Sequence, residues 1–401
     1  MENVKEIFVS IMLNKKTHKV GRLWFHNRKG RTAASFEYCE EWLGNPHKFA
    51  LEPALTLSKA AFHTGEKGSM FGAMGDSAPD RWGRILMQRA NDTGRTLTEA
   101  DYLLGVCDET RQGALRFSIK EGKYLAPGSK RVIPPLIKLA DLLSASEKIL
   151  DNTESAKDLQ LLLAPGSSLG GARPKASVLD KDGSLAIAKF PMKDDDTDIV
   201  RWETAALTLA KAAGITVSEF RLEIIKGKPI LIVKRFDRIG DTRIPFISAM
   251  SMLGASYGDD QNYSYVDIAN SLQQYGAQPK TDMEELWRRI IFGIMISNTD
   301  DHLRNHGFLY SMGHGWVLSP AYDLNPNISR DSFVTAIDRT GSHNTIEGAL
   351  RNINAFNLTE PQAVKIISEV KEAVSGWRKI AKSLGITEKN IDKIKLAFWE
   401  A

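Results

Sequence analysis

One nine-residue stretch limits this chain more than any other: Asn298-Thr299-Asp300-Asp301-His302-Leu303-Arg304-Asn305-His306. It follows 286–296, an apolar run dense enough for a buried helix, and precedes 307–309, a short apolar segment suited to a strand. Tyr322-Asp323-Leu324 comes next. An Asp, an Asn five residues on and a second Asp at a strand end is the layout of a phosphoryl-transfer site. Such chemistry needs little covalent help but much positioning and charge neutralisation. One carboxylate (Asp300) accepts a hydroxyl proton, while the amide oxygen of Asn305 and the carboxylate of Asp323 hold Mg²⁺ on the phosphates. Standing alone, a polar loop after a helix reads more simply as a solvated connection. What favours the chemical reading is that the upstream chain supplies the other parts in order.

A 401-residue chain that is 42% hydrophobic can bury a large core in two or three domains. Its net charge of +4 suits acidic ligands such as nucleotides but is too weak to argue for nucleic-acid binding. Cys39 and Cys107 have no metal-ligand spacing, which predicts a reduced, cytoplasmic protein. The N-terminus has no signal-peptide pattern, and no apolar run approaches the roughly 20 residues needed to cross a bilayer, so no membrane partner is expected.

Residues 1–128 read as an α+β subdomain. The β-rich runs 7–13 and 19–25 flank a hairpin loop at 14–18, and 36–38 adds a strand. A helix is predicted from Ser77-Ala78-Pro79-Asp80-Arg81-Trp82, capped at Ser77 or Asp76 with Pro79 in its first turn. Another is predicted over 96–104, capped at Thr96 with Glu99 three residues later. Residues 129–150 are a connector with Pro134-Pro135, followed by an amphipathic helix.

Residues 151–243 read as a small strand-rich lobe. The segment 164–175 is rich in Gly and Ser between ordered runs, so its backbone N–H groups can approach an anion. It lacks the Walker A spacing, and by itself such a loop is more often a turn than a phosphate cradle. The strand 184–190 ends at Ala188-Lys189-Phe190, where Lys189 can place a point charge on nucleotide phosphates or simply reach water. The helix 199–213, stopped by Gly214, carries Glu203. In kinases the helix after the lysine strand supplies a carboxylate that holds the lysine, which makes Lys189–Glu203 a candidate ion pair. The acidic run 194–198 reads as a solvated loop and helix cap. Strands 219–225 and 229–236 turn at Gly227-Lys228 and lead into Lys234-Arg235-Phe236-Asp237-Arg238, where a kinase hinge would lie. Residues 244–401 read as helical, with candidates at 247–253, 265–275 and 283–296 and a capping box at Thr359-Glu360-Pro361-Gln362. The fold class is therefore α+β: a bilobal protein-kinase-like fold preceded by an α+β subdomain, with ATP chemistry between the lobes.

Across essentially its whole length the chain resembles the HipA family of bacterial serine/threonine kinase toxins. The landmarks in the N-terminal part are Phe71-Gly72-Ala73, Ala78-Pro79-Asp80-Arg81-Trp82-Gly83 and Gly113-Ala114-Leu115-Arg116-Phe117. They continue with Ser167-Ser168-Leu169-Gly170-Gly171-Ala172-Arg173-Pro174-Lys175, Lys189-Phe190-Pro191 and Lys234-Arg235-Phe236-Asp237-Arg238. Thr299-Asp300-Asp301-His302-Leu303-Arg304-Asn305 and Pro320-Ala321-Tyr322-Asp323-Leu324 complete the set. The resemblance implies a protein kinase using ATP and Mg²⁺, with Asp300 as general base and Asn305 and Asp323 as metal ligands. It implies that Lys189 contacts phosphates and that the loop of Gly170, Gly171, Ala172, Arg173, Pro174 and Lys175 lies over them. The backbone of Lys234, Arg235 and Phe236 would hold adenine, and His302, Leu303, Arg304 and Tyr322 would line the site. Family members autophosphorylate a serine before the Gly-rich loop; Ser168 matches, with Ser167 the alternative. The resemblance also implies a HipB-like helix-turn-helix antitoxin as partner, DNA contact only through it, and a protein substrate such as an aminoacyl-tRNA synthetase. Where kinases carry Asp-Phe-Gly and His-Arg-Asp, this chain has Tyr322-Asp323-Leu324 and Asn298-Thr299-Asp300. Two other classes stay open: a kinase-like binding module that serves a DNA-binding repressor, and a small-molecule kinase.

Overall fold

The structure is a computed structural model. It describes residues 5–28, 31–65, 68–91, 94–124, 133–134, 136–166, 171–328, 332–340 and 344–399. The chain divides into two units, Met1–Lys193 with Ile224–Ile247 and Asp194–Glu223 with Ser248–Ala401.

In the first unit, β1 is Lys5–Leu13. Ile7, Val9, Ile11 and Leu13 are all buried on one face, as a period of two requires. It pairs antiparallel with β2 (Lys16–Arg28), with a bulge between Val9 and Ser10. The hairpin loop is shorter than the sequence suggests. Only Asn14 and Lys15 turn the chain, both with positive φ (48° and 63°), the twist-matched geometry of a two-residue turn. β3 (Arg31–Tyr38), β4 (Phe62–His63) and β5 (Leu115–Ser118) complete a sheet of order β4-β3-β2-β1-β5. Gly21 lies where a Cβ would collide with the Glu37 carbonyl oxygen, so only glycine lets β2 and β3 close up there.

Two helix starts differ from expectation. The helix Arg81–Arg89 is capped by Asp80, whose side chain accepts the Arg81 N–H; Ser77 and Asp76 lie upstream, after the short turn Gly72–Gly75. The helix Glu99–Gly105 is capped by Thr98 in a capping box with Asp101, not by Thr96. Glu99 instead forms a two-pronged pair with Arg84, both contacts at 2.7 Å. In each case a side-chain partner distant in sequence, or a preceding turn, overrides a pattern read locally.

β6 (Lys175–Leu179), β7 (Leu185–Lys189), β8 (Phe220–Ile225) and β9 (Lys228–Lys234) form a second sheet, with β7 flanked by β6 and β9. Against it packs one apolar core. Ala176, Val178, Ala186, Ala188, Ile230 and Ile232 meet Leu139, Leu142, Leu143 and Ile149 of the helix Leu139–Leu150, together with Trp82 and Leu86. A helix from the first hundred residues is thus built into the core of the second sheet.

Two buried carboxylates join β5 to the chain after β9. Asp237 pairs with Arg235 at 2.6 Å and Arg238 at 2.7 Å and accepts the Gly113 N–H at 2.7 Å. Asp108 pairs with Arg116 at 2.8 Å and Arg243 at 2.9 Å. Arg238 and Arg243 face each other across a two-stranded ladder, a like-charge pairing offset by these carboxylates. Burial pushes the Asp237 carboxyl up, but the Arg235 and Arg238 guanidiniums outweigh it and hold it well below the ordinary carboxylate range. A third buried carboxylate, Glu52, accepts the Ala73 N–H at 2.6 Å; burial, with Asp76 nearby, lifts its pKa to about 7.

The second unit is mainly helical: Ile199–Ala212, Tyr265–Tyr275, Pro279–Met295, Glu360–Ser375, Trp377–Ser383 and Glu388–Ile394, with a hairpin of Gly307–Ser311 and Gly315–Leu318. Asp198, at the end of the acidic run, caps the first of these. Trp202 of that helix meets a stacked pair, Trp377 and Phe398, whose ring centres lie 4.2 Å apart. The predicted helix over 247–253 is only Ala249–Met252, because Phe246–Ser248 is a strand. Thr359 and Gln362 form the expected capping box. No helix among the described residues is long and apolar enough to cross a membrane.

Asp237→Ala strands two buried guanidiniums and is expected to lower stability by about 3–5 kcal/mol in urea unfolding; a change under about 1 kcal/mol would contradict this account of the network. Glu52 has a folded-state pKa above its ordinary value of 4.5. Its stabilising contribution is therefore complete below pH 4.5 and is lost as pH rises through about 7. The stability of wild type relative to Glu52→Gln should fall by roughly 3 kcal/mol across that window; parallel pH profiles would refute it.

Candidate active site

The helix Pro279–Met295 ends at Ile296, and Ser297 turns the chain with φ at 48°. From there the stretch found in the sequence is held by bonds to its surroundings. Asn298 accepts the Asn325 N–H through its side-chain oxygen at 3.1 Å, and the Asn327 N–H donates to the Ser297 carbonyl at 3.0 Å. The Tyr322 hydroxyl donates to the Arg304 carbonyl at 2.7 Å. Three bonds therefore stitch the segment carrying Asp300 and Asn305 to the segment carrying Asp323. Inside the first segment the Asn305 side-chain N–H donates to the Asp300 carbonyl at 3.3 Å, which leaves the amide oxygen as the end able to meet a cation.

Below this surface lies a charge that the chemistry does not touch. Asp301 is buried; it accepts the Tyr265 hydroxyl at 2.6 Å and meets His306 Nε2 at 3.0 Å. Burial pushes its carboxyl up, but His306 and the Tyr265 hydroxyl outweigh that and hold it below the ordinary value. The Tyr265 hydroxyl is itself pushed well up by burial and by Asp301. The Leu303 N–H donates to Asp260 at 3.1 Å, and the Leu303 side chain lies in the core. Asp301, Leu303 and His306 point inward and anchor the loop, while Asp300 stays exposed. Asp323 has φ at 60°, a left-handed conformation that Asp tolerates better than most residues. Thr299 Oγ1, His302 Nδ1, His306 Nδ1 and Asn325 Oδ1 are buried without a hydrogen-bond partner among the described residues. Others lie elsewhere, among them Arg111 Nε, Ser118 Oγ, Ser177 Oγ and Trp202 Nε1.

The remaining candidates fall into two groups. In the first unit, Lys175 and Lys189 sit directly opposite each other across β6 and β7, so their side chains share one face of the sheet. The Phe190 N–H donates to the Pro174 carbonyl at 3.0 Å, bringing Arg173, Pro174 and Lys175 beside the end of β7. Ala172 is exposed, and Gly171 has φ at 93°. Lys234 lies opposite Ala186 and reaches Asp182 at 3.7 Å. Arg235 spends its guanidinium on Asp237 and its backbone N–H on the Leu185 carbonyl at 3.0 Å; Phe236 packs against Phe246. In the second unit, Glu203 is buried on the helix Ile199–Ala212. Lys189 and Glu203 thus belong to different units. Ser167, Ser168 and Gly170 lie outside the described residues. Reasoning from sequence alone passed over Tyr265 and the support given by Asn298, Asp301 and His306. Tyr265 was visible only as a helix start, because nothing in linear order links it to a loop 36 residues away.

A family model described as the HipA-like C-terminal domain matches residues 167–377, more than half of the chain. A protein of Sinorhizobium fredii (strain NBRC 101917 / NGR234) named "Putative kinase Y4mE" is 24% identical over 320 residues, 72% of this chain and 71% of that protein. A protein of Haemophilus influenzae, also kinase by that same wording, is 28% identical over 183 residues; the match spans 40% of this chain and about half (52%) of that protein. Among solved structures, the HipA, HipB and operator DNA complex of Shewanella oneidensis MR-1 matches with a TM-score of 0.67 at 16% identity, covering 97% of this chain and 94% of that one. This chain has that fold.

Tyr265→Phe removes one hydrogen bond to a buried charged acceptor and is expected to cost about 1.5–3 kcal/mol of unfolding free energy. An unfolding midpoint equal to that of wild type would show that the Tyr265–Asp301 contact contributes nothing.

Proposed function

We propose that this chain, which belongs to the HipA-like family, is an ATP- and Mg²⁺-dependent serine/threonine protein kinase that acts as the toxin of a toxin–antitoxin pair. The observation that carries this reading is the stitching of the Asp300–Asn305 segment to the segment of Asp323, with the exposed Asp300 carboxylate at one end and, at the other, Asn305, whose side-chain N–H is taken by the Asp300 carbonyl. The relatives with kinase names and the family match over 167–377 support it.

The roles follow from the residues. The Asp300 carboxylate takes the proton of the attacking hydroxyl; its exposure lets a protein side chain reach it. Asn305 and Asp323 offer one neutral and one charged oxygen, a hard donor set suited to Mg²⁺, which keeps phosphate oxygens and water as its other ligands. When bound, that ion neutralises charge developing on the transferred phosphoryl group. In the first unit, Lys175 and Lys189 place two cations on one sheet face, the charge the reading assigns to the phosphates. In this reading Gly170 to Lys175 are assigned to the phosphates, Glu203 is the carboxylate expected for Lys189, and the backbone of Lys234 to Phe236 is assigned to adenine, with the Arg235 N–H already engaged by the Leu185 carbonyl. His302, Leu303, Arg304 and Tyr322 shape the loop beside the metal ligands. We further assign Ser168 or Ser167 as the autophosphorylated residue and a component of translation, such as an aminoacyl-tRNA synthetase, as substrate. The relative from Shewanella oneidensis is seen with HipB and operator DNA; here a HipB-like antitoxin would carry any DNA contact. The reading keeps four segments, 1–128, 129–150, 151–243 and 244–401, and a cytoplasmic setting.

The test is incubation of the pure chain with γ-labelled ATP and Mg²⁺, alone and with a cell lysate. Label on the chain or on a lysate protein, reduced at least about 100-fold by Asp300→Asn and by Asp323→Asn, is the expected result. Label confined to small molecules would replace the protein kinase with a small-molecule kinase. A folded chain that neither binds ATP nor transfers label would leave a binding module.

A further inference from the structure

We propose that Asp80 and Trp82 latch the segment 171–175 and thereby set how tightly this chain holds nucleotide phosphates; the second half rests on the kinase reading above. The helix Arg81–Arg89 begins at Asp80, whose two carboxylate oxygens are used differently. Oδ1 accepts the Arg81 N–H at 2.8 Å, while Oδ2 accepts the N–H of Gly171, 91 residues away. The Gly171 carbonyl in turn accepts the Trp82 backbone N–H at 3.4 Å, one of the first-turn amides that a helix leaves without an internal partner. At the other end of the segment, the Trp82 indole N–H donates to the Lys175 carbonyl at 3.0 Å. Trp82 is 1% exposed and belongs to the apolar core, so its ring is a fixed post. Both ends of a five-residue segment are thus tied to a single helical turn.

The latch explains three features that capping and packing alone do not. Gly171 has φ at 93°, and a Cβ there would lie 2.6 Å from Lys175 Nζ, so the segment folds its own lysine back over the glycine. The Gly171 N–H, bonded to a carboxylate, is not a phosphate donor; this glycine serves by shape. Lys175, held by its carbonyl to Trp82, is kept opposite Lys189 across β6 and β7. The β6–β7 ladder and the Phe190 N–H hold Pro174 and Lys175 at one end, while Asp80 and the Trp82 N–H hold Gly171 at the other, where glycine would otherwise give up the most conformational entropy on ordering. Asp80 and Trp82 are positioning residues.

The experiment uses the full chain with Asp80→Ala, Asp80→Ser and Trp82→Phe. Ser restores a helix cap but its hydroxyl is one atom too short to span to Gly171, and Phe keeps the ring while removing the indole N–H. Two quantities are read: hydrogen exchange in a peptide covering 171–175, and KM for ATP against kcat. The expected result is at least about tenfold faster exchange in all three variants, with KM for ATP raised about tenfold and kcat within about twofold of wild type. Exchange unchanged in Asp80→Ser and Trp82→Phe would overturn the latch, whatever the activity. Faster exchange with an unchanged KM would overturn its link to nucleotide. A wild-type chain without ATP turnover would overturn the kinase reading and the nucleotide half with it, while the exchange arm would still decide the latch.

Discussion

A carboxylate removed from water must be met by partners, and that requirement organises both units of this protein. The cost of burying an isolated charge is several kcal/mol, so each buried acid gathers cations or donors from wherever the chain can supply them. Asp237 collects Arg235, Arg238 and the Gly113 N–H; Asp108 collects Arg116 and Arg243; Asp301 collects Tyr265 and His306. These contacts convert segments far apart in sequence into fixed geometry. They also account for landmarks without evident chemistry: the segments Gly113 to Phe117 and Lys234 to Arg238 are joined where the Gly113 N–H donates to Asp237 and Arg238 donates to the Gly113 carbonyl.

The same principle separates support from chemistry in the loop 298–306. Neighbouring residues with similar side chains have opposite fates. Asp300 is exposed, whereas Asp301 is buried and holds the loop through Tyr265 and His306. The loop is held from below by Asp301, Leu303 and His306 and from the side by Asn298 and Tyr322. The backbone of this loop is thus set by bonds made through Asn298, Asp301, Leu303, His306 and Tyr322.

Much of the architecture was legible because it is periodic. The apolar, β-rich run 7–13 falls within β1, the helix Tyr265–Tyr275 matches its predicted bounds, and Thr359 with Gln362 announces a helix start three residues apart. The failures share a cause. Thr96 and Glu99 form a capping pattern on paper, but Arg84 takes Glu99 and the helix starts at Thr98. Ser77 and Asp76 look like caps, but a turn at Gly72–Gly75 delays the helix to Asp80.

The sequence by itself determined which residue types stand at the spacing that phosphoryl transfer requires, since Asp300, Asn305 and Asp323 are near enough in the chain to be read as a pattern. Only the tertiary structure decided which acids face solvent and which are buried, that Tyr265 supports the loop, and that a helix from the N-terminal hundred residues holds the glycine-rich segment. The reason is physical. Local spacing reports on hydrogen bonds and periodicities within a few residues, whereas the burial of a charge is settled by partners that chain folding brings from 36, 91 or 124 positions away.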